Sequence, residues 1–314
     1  MLDIFKFCAE CENKLTPRFM KVDSLCFNNT KKVMSAFAKE RISDAHFAPS
    51  SGYGYDDIGR DACDRVFADV FECESAFVRH SIVSGTHALS IGLFGLLRPG
   101  DTLYFVTGKP YDTLDGVIGI KPCDGSLCEY GVKYTEAKRF ADIEEITHTL
   151  KSDPTIKVVA IQRSRGYSDR RTLSSAEIGK ICDAVHSVSN AYVFVDNCYG
   201  ELCEEHEPSF YGADLCVGSL IKNLGGGIAE SGGYCAGTNE AVTKASYRLT
   251  CPGIGTECGA SLGLTKNMLK GLYFAPHVVG QALKSAMLAS QMLSELGFDI
   301  SPLPDDERYD IIQT

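Results

Sequence analysis

Short apolar runs alternate along this chain with segments whose apolar residues recur at helical spacing. The runs predict strands because they are rich in β-branched and aromatic residues and end at glycine or polar clusters. They lie at 77–79, 102–106, 157–162, 192–195 and 214–218, with a further short run after the glycines at 225–227. Helical patterns cover 61–71, a segment beginning near His87, 142–150, 174–189 and 240–248. This alternation predicts an α/β fold with a largely parallel, doubly wound sheet.

The remaining segments carry less regular patterns. Residues 1–45 are interpreted as two helices with polar breaks, the second over 30–41, and residues 118–135 as irregular and partly extended. Two further helical patterns cover 261–271 and 276–296, and a short strand is predicted at 298–301. The loop 46–60 carries glycines and tyrosines, and its length is consistent with either a functional loop or a plain connector.

The stretch 191–237 carries the strongest chemical signal. An apolar run ends in Asp196, and a second run leads to Ser219 and then Lys222. In open α/β sheets, ligands bind outside the carboxyl ends of the strands, so Asp196 and Lys222 are expected to face one crevice. Pyridoxal phosphate enzymes use a lysine to hold the cofactor as a Schiff base and a carboxylate to pair with its pyridinium nitrogen. Asp196 and Lys222 together favour that chemistry over a helix cap and a solvated loop lysine.

Two other segments are expected at the same crevice. Ser84, Gly85 and Thr86 precede an apolar helix, and backbone N–H groups at a helix N-terminus bind phosphate well. Serine and threonine also simply cap helices, so this motif alone is weak. Tyr111 follows the strand at 102–106, where it could stack on a planar ring or cover the edge of the core.

Composition narrows the possible classes of protein. The chain has 314 residues, 44% hydrophobic, a net charge of -10 and a pI near 5.2. These values predict a folded protein of one large domain, or one large and one small, and argue against nucleic acid as partner. No apolar run reaches the length of a membrane span, and residues 1–6 lack the form of a signal peptide, so we expect a cytoplasmic protein with no membrane partner.

The fourteen cysteines are expected to be reduced thiols, and we expect no metal site. Cys8 and Cys11 form a CxxC motif without a second pair at ligand spacing. The glycines at 225–227 and 232–233 follow a candidate lysine instead of opening a helix, so they do not form a dinucleotide-binding motif. No nucleophile elbow, phosphate-binding loop of the Walker type or HExxH motif is present.

Several motifs in register resemble the fold type I pyridoxal phosphate enzymes. They are SGTHA, PYDT, QRSRGY, VDNCYGE and GSLIKNLGGGIAESGGY. GYGYDDIGRD and SGTHALSIGLFGLLRPGD more narrowly resemble the methionine gamma-lyase-like family, also known as aluminium-resistance proteins and related to cystathionine lyases. The resemblance runs from about Asn28 to Thr314. It implies a mostly parallel seven-stranded sheet flanked by helices.

The resemblance also implies roles for individual residues. Lys222 would carry the pyridoxal 5'-phosphate and move the substrate α-proton, and Asp196 would pair with the pyridinium. Tyr111 or His87 would stack on the ring, Tyr111 being counted with Lys222 as catalytic. The implied phosphate ligands are Gly85 and Thr86, through backbone N–H groups, and Ser219.

Three further implied contacts are less direct. Tyr55 and Arg60 resemble a segment that reaches the phosphate site of the neighbouring subunit, which would make a homodimer or homotetramer with shared active sites. Gln162 or Arg163 would contact the cofactor or the substrate.

The implied activity is carbon–sulfur bond cleavage in a sulfur-containing amino acid, by β- or γ-elimination. An aminotransferase or a cysteine desulfurase on the same scaffold remains an alternative, as does a catalytically silent cofactor-binding fragment. The predicted domains are an N-terminal arm with an inter-subunit loop (1–60), a large cofactor-binding domain (61–272) and a long helix with the start of a small C-terminal domain (273–314). Family members continue beyond this point, so we expect that domain to be truncated.

Overall fold

A seven-stranded sheet forms the centre of the computed structural model, which describes residues 3–314. Its strands are β1 (Ser75–Arg79), β2 (Thr102–Phe105), β3 (Lys133–Glu136), β4 (Ile156–Gln162), β5 (Tyr192–Asp196), β6 (Leu215–Ser219) and β7 (Gly233–Gly237). They are ordered β1-β7-β6-β5-β4-β2-β3. Only β7 runs antiparallel to its two neighbours. The predicted mostly parallel α/β sheet is therefore confirmed.

Helices cover both faces of this sheet. They are α1 (Ile4–Lys39), α2 (Ile58–Val70), α3 (Gly85–Leu96), α4 (Leu114–Ile118), α5 (Ile143–Ser152), α6 (Ser175–Val188), α7 (Asn239–Leu249) and α8 (Thr265–Glu295). One buried cluster joins the sheet to α2, α6 and α8, and a second joins its other face to α3 and α7. The strands read as continuous apolar runs because both faces are covered.

Two interruptions predicted from the sequence are wrong. Residues 4–39 form one continuous helix, α1, which runs through Pro17, and α8 continues through Pro276. A proline removes one helical hydrogen bond and strains the turn before it. Here α1 and α8 lie against each other, joined by a Lys14–Glu295 ion pair at 2.7 Å. Burial along this contact compensates for the defect.

The segment 118–135 is irregular and partly extended, as predicted: it follows the short helix α4 and leads into the edge strand β3. One smaller prediction differs from the structure. Residues 298–301 form no strand, although Ser301 and Thr314 exchange two backbone hydrogen bonds. Helix α8 runs unbroken across the predicted domain boundary at 272/273, and the division into domains remains a prediction. Met1 and Leu2, at the start of the predicted N-terminal arm, lie outside the described residues.

Within residues 3–314, no helix combines the length and the apolar composition that crossing a membrane requires.

Candidate active site

A cavity of about 800 Å³ opens at the carboxyl ends of β4, β5 and β6, beside the N-terminus of α3. It forms where the polar residues that follow buried parallel strands meet at one edge of the sheet, as expected for this class of fold. The cavity brings together seven of the predicted site residues: Gly85, Thr86, Tyr111, Gln162, Asp196, Ser219 and Lys222.

One end of the cavity suits an anion. Ser84 caps α3, its hydroxyl accepting the backbone N–H of His87 at 3.1 Å. The N–H groups of Gly85 and Thr86, in the first turn, have no partner within the helix. An ideal Cβ on Gly85 would lie 3.0 Å from Cys198 Sγ and 3.6 Å from Ser219 Cβ, so a side chain there would press against Cys198. Two backbone donors and the hydroxyl of Ser219 therefore converge where a phosphate can bind.

Asp196 ends β5 in the wall of the cavity. Its carboxyl is buried, and Oδ1 accepts the backbone N–H of Cys198 at 3.2 Å. Burial raises the pKa of Asp196, and the positive charge of Lys222 opposes that shift. A buried carboxylate needs a cationic partner, so this site favours a ligand that presents a positively charged nitrogen.

Lys222 lies three residues beyond β6, and its Nζ sits 3.9 Å from the centre of the Tyr199 ring. Burial alone lowers the pKa of Lys222, but the acidic groups of Cys198, Tyr199, Asp196 and Glu201 outweigh it, so the pKa lies above its ordinary value. In the cofactor-free protein the ammonium form is stabilised, because acidic groups line this side of the cavity.

Tyr111 and Gln162 also line the cavity. Gln162 Oε1 accepts the backbone N–H of Tyr111 at 2.8 Å, which fixes the segment after β2 against the end of β4. The Tyr111 and Tyr167 rings lie 5.7 Å apart, and a hydrogen bond with Tyr167 raises the pKa of Tyr111. Tyr111 therefore keeps its phenolic proton over the neutral range and presents its ring to the cavity.

Three predicted site residues lie away from this cavity. His87 lines a separate depression of about 460 Å³ on the outer side of α3. Tyr55 and Arg60 line another depression, near α2. Arg60 is only 3% exposed, and its guanidinium binds the carbonyl oxygens of Gly54, Glu257 and Gly259. The contact predicted for Tyr55 and Arg60 is with a second subunit, and it remains a prediction.

Arg163, the alternative to Gln162, is fully buried behind the site. Its guanidinium is bound by Asn197, Glu204 and Glu207. With its charge paired in this way, Arg163 holds the turn after β5 against the end of β4, and it does not line the cavity.

Sequence reasoning overlooked two residues near Lys222, Tyr199 and Glu201. Tyr199 contacts Lys222 directly, and its proximity to Asp196 in the sequence was the available signal. Cys198 lies beside Asp196 and Gly85. Glu201, buried near Lys222, gave no signal because a single glutamate in a polar turn is usually solvated.

Comparisons with known proteins agree with this arrangement. The family model for methionine gamma-lyase matches residues 4–314. Protein YnbB of Bacillus subtilis (strain 168) is 45% identical over 314 residues, covering 98% of this chain and 75% of YnbB. The crystal structure of a carbon-sulfur lyase involved in aluminum resistance from Clostridium novyi NT has a TM-score of 0.95 and 48% identity, over 99% of this chain and 75% of that one.

A more distant structure gives the fold class. The pyridoxal-5'-phosphate dependent protein YhfS from Escherichia coli has a TM-score of 0.66 at 17% identity, over 92% of this chain and 74% of that one. The seven-stranded sheet and its flanking helices are thus those of the fold type I pyridoxal phosphate enzymes. Within that class, the chain belongs to the methionine gamma-lyase family.

Proposed function

We propose that this protein is a pyridoxal phosphate-dependent carbon–sulfur lyase acting on a sulfur-containing amino acid. The observation that carries the proposal is the convergence of Lys222, Asp196 and the α3 N-terminus on one cavity. Membership of the methionine gamma-lyase family supports the same reaction class. The volume of about 800 Å³ accommodates a cofactor together with an amino acid.

The residues of the cavity fit each part of the cofactor. Gly85, Thr86 and Ser219 would bind the phosphate, Asp196 would pair with the ring nitrogen, and Lys222 would hold the aldehyde carbon covalently through Nζ. Tyr111 would lie against the ring, and Gln162 would keep Tyr111 in position. When bound, the cofactor withdraws electrons from the substrate Cα.

Lys222 and Tyr111 would carry the proton transfers. Lys222, once released from the cofactor, would take the substrate α-proton, for which it must first lose its own. Tyr111, which keeps its phenolic proton, can donate to the departing sulfur. Elimination would release a thiol, and the remaining enamine would hydrolyse to a keto acid and ammonia.

Absorption spectroscopy with borohydride reduction tests the cofactor assignment. We expect purified protein with pyridoxal phosphate to absorb in the visible range, and reduction followed by peptide mapping to locate the adduct on Lys222. A Lys222→Ala variant serves as the control and should give no adduct. An adduct on other lysines alone, in folded protein, would refute the assignment.

Product analysis tests the reaction class. Incubation with methionine, homocysteine and cystathionine should release thiol and ammonia in equal amounts from at least one of them. Transfer of the amino group to a keto acid, without thiol release, would favour an aminotransferase instead.

We also propose that the protein is a homo-oligomer whose subunits share active sites. The loop before α2 carries Tyr53 and Tyr55, which are 78% and 56% exposed, and the nearby Leu262 is 62% exposed. Exposed aromatic and aliphatic side chains on one surface are typical of subunit interfaces. Tyr55 of a second copy would then complete the phosphate end of the cavity.

A further inference from the structure

A buried carboxyl, that of Glu201, lies near Lys222 in the turn after β5. It has no role in the reaction proposed above. Glu201 is 0% exposed. Its Oε1 accepts the phenolic O–H of Tyr234, on β7, at 3.1 Å, whereas Oε2 has no hydrogen-bond partner among the described residues. A half-satisfied buried carboxyl is costly, so its presence calls for an explanation beyond packing.

The surrounding backbone is adapted to this carboxyl. An ideal Cβ on Gly218 would lie 2.5 Å from both Glu201 Oε1 and Tyr234 Oη, so β6 admits the pair only because residue 218 is glycine. The amide of Asn223, directly after Lys222, donates to the carbonyl oxygens of Tyr199 at 3.1 Å and Glu201 at 3.3 Å. The turn that holds Glu201 thus also holds the backbone beside Lys222.

Nearby charged and polar groups act on Glu201. Burial raises its pKa to about 8, and the charge of Glu207 adds to the increase, while Lys222 and the hydrogen bond from Tyr234 oppose it. On Lys222, Cys198, Tyr199 and Asp196 act together with Glu201. The thiols of Cys198 and Cys203 are also buried, and burial raises their pKa values.

We propose that Glu201 is a positioning residue for Lys222. The buried carboxyl of Glu201, fixed by Tyr234 and Gly218, sets how firmly Lys222 holds its proton. The inference rests on the proposed function of Lys222. While Glu201 is protonated it adds no charge near the lysine, and Lys222 releases its proton more readily. Once Glu201 ionises, its negative charge stabilises the ammonium form, so the two groups titrate as a coupled pair.

Competitive acetylation of the cofactor-free protein, followed by peptide mapping, tests this inference. The rate at Lys222 follows its fraction of free amine. In Glu201→Gln we expect labelling at pH 9 to be several-fold faster, since loss of the neighbouring charge lowers the Lys222 pKa by roughly one unit. At pH 7 the wild-type carboxyl is already mostly neutral, and the two proteins should be labelled at similar rates.

The matched control is Glu205→Gln, which removes the same charge from an exposed position in the same segment and should leave the Lys222 rate unchanged at both pH values. An equal effect of Glu205→Gln would overturn the proposal, as would identical rates at pH 9 in wild type and Glu201→Gln. A rate change of the same size at pH 7 and pH 9 would indicate a purely structural role and also overturn it.

A second variant keeps the test decisive if Glu201→Gln does not fold. Tyr234→Phe removes the hydrogen bond that favours the ionised carboxyl, so the pH at which Lys222 labelling responds to Glu201 should move upward. An unmoved pH dependence would contradict the inference. Because no cofactor is added, this experiment can fail while Lys222 still binds pyridoxal phosphate, and the reverse also holds.

Discussion

The absence of a side chain at Gly218 leaves room beside β6 for the carboxyl of Glu201. A substitution at Gly218 therefore tests the packing of this site. Gly218→Ala would bring a methyl group within 2.5 Å of Glu201 Oε1 and Tyr234 Oη. We expect it to lower the free energy of unfolding by about 1–3 kcal/mol, because overpacking a buried site shifts side chains or backbone. Urea unfolding at pH 7 measures the change.

Gly116→Ala is the control for that substitution. Gly116 lies in helix α4, where an added Cβ would meet only Cys123, at 3.8 Å. Alanine there should be neutral or stabilise the protein by up to about 1 kcal/mol. Equal stability of the Gly218→Ala and Gly116→Ala proteins would mean that β6 tolerates a side chain at 218.

The raised pKa of Glu201 predicts a pH dependence of stability. Its folded-state pKa, about 8, lies above the ordinary value of 4.5. The stability that this group contributes is therefore fully present below about pH 4.5 and is lost as the pH rises through about 8. The Glu201→Gln protein has no carboxyl to ionise and does not lose this stability. Between pH 5 and pH 9 its free energy of unfolding should therefore rise by at least about 1 kcal/mol relative to that of the wild type.

Urea unfolding of both proteins at pH 5, 7 and 9 measures that difference. Stability curves that stay parallel across the range would mean that Glu201 is ionised in the folded protein throughout.

At the scale of elements, the start of α3 links stability to the anion site. Ser84→Ala removes the hydrogen bond to His87 N–H and should cost about 1 kcal/mol of stability. It should also weaken pyridoxal phosphate binding, because the cap orients the N–H groups of Gly85 and Thr86. Thermal unfolding and a spectroscopic titration with the cofactor measure the two effects.

Ser174→Ala is a matched control, because Ser174 caps α6 in the same way, accepting the N–H of Glu177. It should cost similar stability without changing cofactor affinity, since α6 does not border the cavity. Equal losses of affinity in both variants would assign the effect of Ser84→Ala to general destabilisation.

The elements also separate what the sequence could predict from what it could not. Six of the seven strands follow from short apolar runs, because strands covered on both faces contain little else. The exception is β3, a half-exposed edge strand without such a run. The continuity of α1 and α8 was missed because it depends on their contact with each other across nearly the whole sequence.

The same distinction holds for the site. Asp196, Ser219 and Lys222 follow strand ends in the sequence, so their convergence was predictable from topology. Lys222's contact with Tyr199 was not, because Tyr199 adopts a left-handed backbone conformation, with φ of 71°, that turns the chain back under the lysine. The burial of Glu201 could not be predicted either, because it depends on the three-dimensional position of Gly218.

At the scale of the whole molecule, a shared active site predicts complementation between inactive subunits. Lys222→Ala and Tyr55→Ala proteins should each lack activity. After their subunits exchange, a mixed dimer would have one site carrying both substitutions and one carrying neither. We therefore expect recovery of about a quarter of the wild-type lyase activity in an equal mixture.

Thiol release, assayed before and after subunit exchange, checks this expectation. No recovery despite mixed dimers detected by native mass spectrometry would mean that Tyr55 acts within its own subunit, or not at all.

The contact between α1 and α8 has a consequence for protein synthesis. Asp23 pairs with Lys284, and Gly280 packs against Cys26, so α1 is covered by a helix that is synthesised much later. Domains generally form from the N-terminus during translation, yet the side of α1 that faces α8 has no native cover until α8 emerges. During that interval the nascent chain exposes part of a long amphipathic helix, to which a chaperone can bind.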